Sequence, residues 1–192
     1  EKIKHAQKCG VLAVGMDLDH IFDSNGHYDI VTGYKQSAKT IDELKSFITS
    51  TNLPFVIKGV LSERDAKLCL ELGVKGIVVS HHHGIMDYAV PPLMALPGIA
   101  KVIAGRIPIF VDCGIESGMD VFKALALGAA AVSVGRHLMT PLKEKGAEGV
   151  TDEIISMTQK LAGVMARTAS SDLKHIDPEV IWHKDNGRRI CG

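Results

Sequence analysis

An α/β fold of parallel strands under helical cover follows from three features of the 192-residue chain. Five short apolar runs recur along it, and capped helical segments separate them. The runs are continuous rather than alternating, which suits strands buried on both faces of a parallel sheet. Two architectures meet this pattern. A doubly wound sheet of five strands would be complete at this size, whereas a (β/α)8 TIM barrel usually needs about 250 residues. Polar residues favour the barrel, because Asp17, Lys58, Ser80, Asp112 and the pair Gly135 and Arg136 each end a different strand. Such ends converge on one site if the sheet curls around. A barrel would leave three strands missing at the front, and the edges so exposed would need another segment or partner.

The opening "EKIKHAQKCG" reads as the end of a helix and lacks both a methionine and the apolar stretch of a signal peptide, so a preceding segment is expected. "VLAVGMD" (11–17) is the first strand. Residues 18–39 are expected to form a long polar loop, on the side where α/β folds keep their substrate-binding parts. Thr40 and Glu43 then make a capping box ahead of Leu44, Phe47 and Ile48. "PFVIKG" (54–59) is the second strand. Ser62 and Asp65 head a helix that stops at Gly73, and "GIVVS" (76–80) is the third strand. "IPIFVD" (107–112) follows, then a helix headed by Ser117 and Asp120 that stops at Gly128, then "AAVSVG" (130–135). The last helix lies in 151–169, with Ile154, Ile155, Leu161, Val164 and Met165 on one buried face.

Composition narrows the function classes. The chain is 46% hydrophobic, and its 22 basic residues balance 22 acidic ones, so a phosphate-tracking surface for nucleic acid is not expected. Its apolar runs are five or six residues long, far below the 18 or so that span a bilayer. Cys9, Cys69, Cys113 and Cys191 show no close metal spacing. With no secretory segment they read as free thiols in a reducing compartment, and a cytoplasmic location is expected.

Lys58 closes an apolar strand. Such a lysine either snorkels to solvent or, with Gly59 permitting a tight turn, points its amine at an anionic group. In "VDCGIESG", Asp112 is followed by Gly114 and by Gly118 at a helix start, a loop that can offer backbone N–H groups to phosphate. In "SVGRHLMTPL", Gly135 lets the backbone approach an anion that Arg136 can grip. Two such loops after the last two strands match where barrels hold a phosphate. Between these and Lys58 runs "SHHHG". In extended backbone His81 and His83 would share one side and His82 the other. Three adjacent histidines then cannot easily wrap one tetrahedral ion, so no metal site is expected. His82, in its neutral form, is placed to accept a proton near pH 7, with His81 packing or orienting and His83 filling space.

The segments "LPFVIKGVLSERDAKLCLELGVKGIVVSHHHG", "IPIFVDCGIESGMDVFKALALGAAAVSVGR" and "GAEGV" resemble, in order and spacing, the FMN-dependent α-hydroxy acid oxidase and dehydrogenase family. The resemblance is strong over 53–176 and thinner over 11–52. It implies a (β/α)8 barrel of which this chain is the C-terminal portion, strands four to eight, with residues 1–192 forming part of a single FMN domain whose N-terminal strands are absent. By position, Lys58 resembles the lysine at the flavin N1/C2 edge, His82 the active-site base and Asp17 the aspartate that orients it. Ser80, Asp112, Cys113, Gly114, Gly135 and Arg136 resemble the residues that receive FMN's ring, ribityl chain and phosphate. The implied reaction is oxidation of a small 2-hydroxy acid or related hydroxy compound to the keto product. The alternative is a flavin-binding barrel with lost or changed catalysis. A small-molecule substrate, and either a homo-oligomer or pairing with an N-terminal segment, complete the expectation. Ile85 stands where the family has an arginine for the substrate carboxylate, "DLDHIFDSNGHYDI" shows no match to a second arginine, and Glu116 replaces an arginine near the phosphate.

Overall fold

A computed structural model describes residues 1–23, 25–82 and 88–181. His83, Ile85 and Cys191 lie outside the described residues. The chain divides into two compact units, 1–109 and 110–192.

In the first unit, helix α1 (Lys2–Lys8) leads to strand β1 (Val14–Asp17). β1 pairs in parallel with β4 (Phe55–Val60), register Val14 to Phe55 and Asp17 to Lys58, and β4 pairs in parallel with β5 (Gly76–Val79). The two polar strand ends, Asp17 and Lys58, are thus brought side by side by register alone. Ile57, Ile77 and Val79 are fully buried, and helix α4 (Pro92–Ile103) contributes Leu96, Ile99 and Ile103 to the same core. Apolar runs of this kind bury because each large aliphatic side chain removed from water is worth about 1.5–3 kcal/mol. β1 departs from the expectation of burial on both faces: Val14 and Met16 are half-buried while Gly15 and Asp17 are exposed. Its one strand partner among the described residues is β4, so it behaves as an edge strand.

Capping fixes the helix starts as the sequence implies. Helix α2 (Ile41–Thr49) opens with both halves of the Thr40 and Glu43 box, at 3.2 Å and 2.8 Å. In helix α3 (Glu63–Glu71) the Ser62 hydroxyl accepts the Asp65 N–H, and Gly73 follows the C-cap with φ +77°. The loop of 18–39 is more ordered than expected, because β2 (Ile30–Val31) and β3 (Tyr34–Lys35) form a small antiparallel hairpin. Phe22 packs at a tilt against Tyr28, ring centroids 4.7 Å apart, and Lys35 lies over the Tyr28 ring at 3.8 Å, a local aromatic cluster within this segment.

In the second unit, β6 (Ile109–Val111), which spans the boundary, pairs in parallel with β7 (Ala131–Val132). Both are shorter than the expected 107–112 and 130–135. Helix α5 (Gly118–Ala126) packs on helix α6 (Met139–Arg167), where Phe122, Ala126 and Ile176 are buried with Leu125, Leu161, Val164 and Met165 against them. α6 begins twelve residues before the expected 151 and breaks at Gly146, whose φ of +62° and ψ of −141° are non-helical. Ile154 and Ile155, expected on its buried face, are exposed in this chain. An α/β fold with a partial parallel sheet and flanking helices, as in a (β/α)8 barrel, is therefore established.

Candidate active site

The first unit gathers its ionisable groups where β1, β4 and β5 end. Lys58 Nζ lies 3.1 Å from Asp17 Oδ2, across the register pair, and 2.9 Å from His82 Nδ1. The same histidine nitrogen is 3.1 Å from Asp19 Oδ1 and 3.3 Å from Asp17 Oδ2. Backbone geometry delivers His82 there. Ser80 is fully buried, its hydroxyl accepts the His82 N–H at 3.1 Å, and His82 adopts φ +50°. A hydroxyl bonding the N–H two residues on gives a local turn that competes with extended backbone. Strand alternation requires extended φ, so with His82 left-handed the extended pattern does not run through it; the expected placement of His83 lies outside the described residues.

Asp19 and His20 are participants that sequence reading missed. The Leu18 N–H donates to the Lys58 carbonyl at 3.0 Å, carrying the β1–β4 alignment past the strand end and setting Asp19 against Gly59. Gly59 has φ +99°, and a Cβ there would stand 2.9 Å from Asp19 Cβ. The chain therefore needs glycine at this point, both for the backbone conformation and for the close approach. His20 stacks on His82 with ring centroids 4.4 Å apart, and its Nδ1 pairs with Asp29 Oδ2 at 2.8 Å. The pattern "DLDH", with carboxylates two apart and a histidine adjoining, was the available signal.

Electrostatics separates the two aspartates. Burial pushes the Asp19 carboxyl up to about 6, with Asp17's hydrogen bond and charge adding to it and Lys58 and His82 opposing. For Asp17 burial acts upward too, but hydrogen bonds from Asp19 and Lys58 and the charges of Lys58 and His82 hold it below its ordinary value. Asp19 Oδ2 is buried and has no hydrogen-bond partner among the described residues. Asp17, Asp19 and His82 each offer a ligand atom within 4.8 Å of the others. The Lys58 ammonium already stands among them, so a cation's place in this cluster is taken by a side chain of the protein.

The second unit presents a different kind of site. Asp112 and Cys113 follow β6, with the thiol donating to Asp112 Oδ1 at 3.0 Å and Cys113 at φ +66°. A Cβ added at Gly114 or at Gly135 would meet nothing within 4 Å, so both glycines face open space. The Arg136 side chain follows in an exposed 3-10 turn (Arg136–Leu138), which His137 Nε2 ties to Glu153 Oε1 at 2.8 Å. The helix start at Gly118 is less available to an anion than expected. Asp120 Oδ2 already accepts from the Ser117 hydroxyl at 2.8 Å and from the Glu116 N–H at 3.3 Å. Cys69, by contrast, is a packing residue: burial, with Asp65's charge, pushes its thiol up to about 11.

Comparison with known proteins decides the family. Residues 5–183 match the FMN-dependent dehydrogenase family. The chain belongs to that family. It is 37% identical over 183 residues to glycolate oxidase of Spinacia oleracea, covering 92% of this chain and 50% of that protein. It is 42% identical over 131 residues to a peroxisomal (S)-2-hydroxyacid oxidase of Arabidopsis thaliana, covering 68% and 35%. A mandelate oxidase variant with a C4a-OH-FMN adduct superposes with a TM-score of 0.79 at 29% identity, over 92% of this chain and 58% of that one. The chain thus spans about half the length, or less, of the relatives it matches. FMN is the cofactor of the family so assigned. The residues present fit it: a lysine beside a strand end, two glycines bordering open space and an exposed arginine without an ion-pair partner among the described residues. The cytoplasmic expectation is overturned by the peroxisomal relative, since the spacing of four cysteines does not specify the compartment.

Proposed function

We propose that this chain forms the C-terminal portion, strands four to eight, of a (β/α)8 barrel that oxidises a small 2-hydroxy acid or related hydroxy compound with FMN. One observation carries it: His82 is held by two carboxylates and a lysine at the ends of three parallel strands. Bound FMN supplies a two-electron acceptor, and the protein's part is binding, orientation and proton handling. His82 Nδ1 faces Asp17, Asp19 and Lys58, so Nε2 is the nitrogen that takes the proton of the substrate. Lys58 and Ser80 are assigned to the flavin ring, with Lys58 favouring negative charge on it. Asp112, Cys113, Gly114, Gly135 and Arg136 are assigned to the ribityl chain and phosphate by their order along the family. Asp17 orients the base through Lys58 and His82. A small-molecule substrate is the partner, and the open edge of β1 suits pairing with an N-terminal segment or a homo-oligomer.

The full-length protein, purified and loaded with FMN, is expected to be yellow and to bleach anaerobically with a hydroxy compound. His82→Gln should retain the flavin and slow bleaching on the order of 100- to 10,000-fold. Absence of flavin affinity would overturn the assignment. Ile85 favours a second reading, a barrel that binds flavin but has changed catalysis, because isoleucine cannot pair with a substrate carboxylate. That reading expects bound flavin left oxidised by a broad panel of 2-hydroxy acids.

A further inference from the structure

The exposed turn that carries Arg136 has little of its own to hold it. It is a single 3-10 turn (Arg136–Leu138) with no buried residue, closed by the Leu138 N–H donating to the Gly135 carbonyl at 2.9 Å. Turns of this length and hydrogen-bond geometry are weak when unsupported. A Cβ at Gly135 would meet nothing within 4 Å, so packing does not fix the entry to the turn either. What reaches it is Glu153, 16 residues beyond His137 in the chain, whose Oε1 accepts from His137 Nε2 at 2.8 Å with both side chains partly buried.

Glu153 itself stands on fixed ground. It lies in the part of α6 beyond the break at Gly146, four residues before buried Met157 and on the same helix face. At Met157 this helix meets the start of α5 backbone to backbone: a Cβ at Gly118 would collide with the Met157 carbonyl and the Leu161 backbone nitrogen. A Cβ at Gly149 would likewise collide with the Pro141 carbonyl, so the parts of α6 on either side of the break are pressed together. Helix α6 therefore holds the end of the 112–118 loop by close packing and the Arg136 turn by a side-chain hydrogen bond.

Successive residues of a 3-10 turn point about 120° apart, so a turn whose His137 is drawn onto α6 presents Arg136 in another direction. Arg136 is exposed. We infer that Glu153, acting through His137, is a positioning residue for Arg136: it fixes the turn in advance, so that the guanidinium meets the FMN phosphate with less ordering left to do. The inference rests on the assignment of Arg136 to that phosphate. Charge alone makes the opposite demand. A carboxylate beside an anion site repels the anion, so deleting it should tighten FMN, whereas loss of positioning weakens it.

The test is binding of FMN and of riboflavin, which lacks the phosphate, to the full-length apoprotein, followed by flavin fluorescence. Glu153→Ala and His137→Ala should each weaken FMN about three- to fivefold and leave riboflavin unchanged. Glu153→Gln keeps an acceptor and His137→Gln keeps a donor, so both should bind FMN within about twofold of the wild type. In an Arg136→Ala background, Glu153→Ala should have no further effect. Glu153→Met keeps the helix and the side-chain length without the carboxylate, and it carries the same expectation should the alanine variant fail to fold. FMN binding unchanged or tightened in Glu153→Ala, equal losses for FMN and riboflavin, or a further loss on top of Arg136→Ala overturns the inference. If Arg136→Ala weakens FMN while Glu153→Ala does not, the inference falls and the phosphate assignment stands. If Arg136→Ala leaves FMN affinity unchanged, both fall. Neither result depends on turnover, so a barrel that binds flavin without oxidising a substrate is tested equally.

Discussion

The first unit's site and the second unit's loops solve the problem of placing charge in opposite ways. Around His82, four ionisable side chains are linked by contacts of 2.9–3.3 Å, partly buried, and the proton affinities of the two aspartates move apart as a result. Around Gly114 and Gly135 there is mostly absence of side chain: two glycines border open space and Arg136 stands exposed. A proton-transfer site needs neighbours to tune it. An anion-binding loop needs donors kept free and backbone that a phosphate can approach. The two regions accordingly should respond to substitution in different currencies, the first in stability and pH dependence, the second in ligand affinity.

The largest contrast is expected from Gly59→Ala. The added methyl would press on Asp19 Cβ and Cγ at 2.9 Å, with the backbone at φ +99°, so unfolding free energy should fall by about 2–4 kcal/mol in a denaturant titration. Adding the same methyl at Gly135, where no atom lies within 4 Å, should cost about 1 kcal/mol or less. Equal losses would erase the distinction between a tuned cluster and an open loop.

Asp19→Asn sharpens it through pH. The folded carboxyl is raised from 3.8 to about 6, so the folded state holds its proton more tightly than the unfolded chain between those values. The stability this provides is fully present below about 3.8 and is lost as pH rises through about 6. Asn resembles the protonated form. The variant should therefore be more stable than the wild type by about 1–3 kcal/mol at about pH 8 and indistinguishable at about pH 4, as read by thermal unfolding. Asp17, whose pKa is lowered, runs the other way and loses its contribution as pH falls through its folded value. A stabilised but slower Asp19→Asn enzyme would show that the cluster holds strain for function.

The smallest effect on the fold should come from Arg136→Ala. Exposed and without an ion pair among the described residues, this side chain should change apoprotein stability by under about 0.5 kcal/mol. FMN affinity, measured by fluorescence titration, should nevertheless fall about tenfold through loss of a charge-assisted bond to phosphate.

Much of the scaffold was legible in the sequence because its signals are local. Thr40 with Glu43, Ser62 with Asp65 and Ser117 with Asp120 all cap as their spacing implies, and each apolar run became a strand. Strand length was less legible: "AAVSVG" yields a two-residue ladder, since pairing depends on the neighbouring strand and not on the run itself. Asp17, Lys58 and His82 were identifiable by position and family resemblance. Asp19 and His20 were not, because residues beyond a strand end have no periodicity to read, and their placement comes from one inter-strand hydrogen bond and one glycine. The left-handed backbone at His82 was equally hidden, since it depends on a serine hydroxyl two residues before it.

That glycine has a further consequence. Gly59 carries no functional group, yet the spacing between the carboxylate beyond β1 and the lysine on β4 is set by the volume it leaves empty. Its role is that of a shim: the thickness of one missing methyl group determines whether two oppositely charged strand ends share a proton network or stand apart as separate charges. Redesign of this site for another hydroxy substrate would do better to hold this spacer fixed and vary the residues around it, because no change in charge can compensate for a change in that gap.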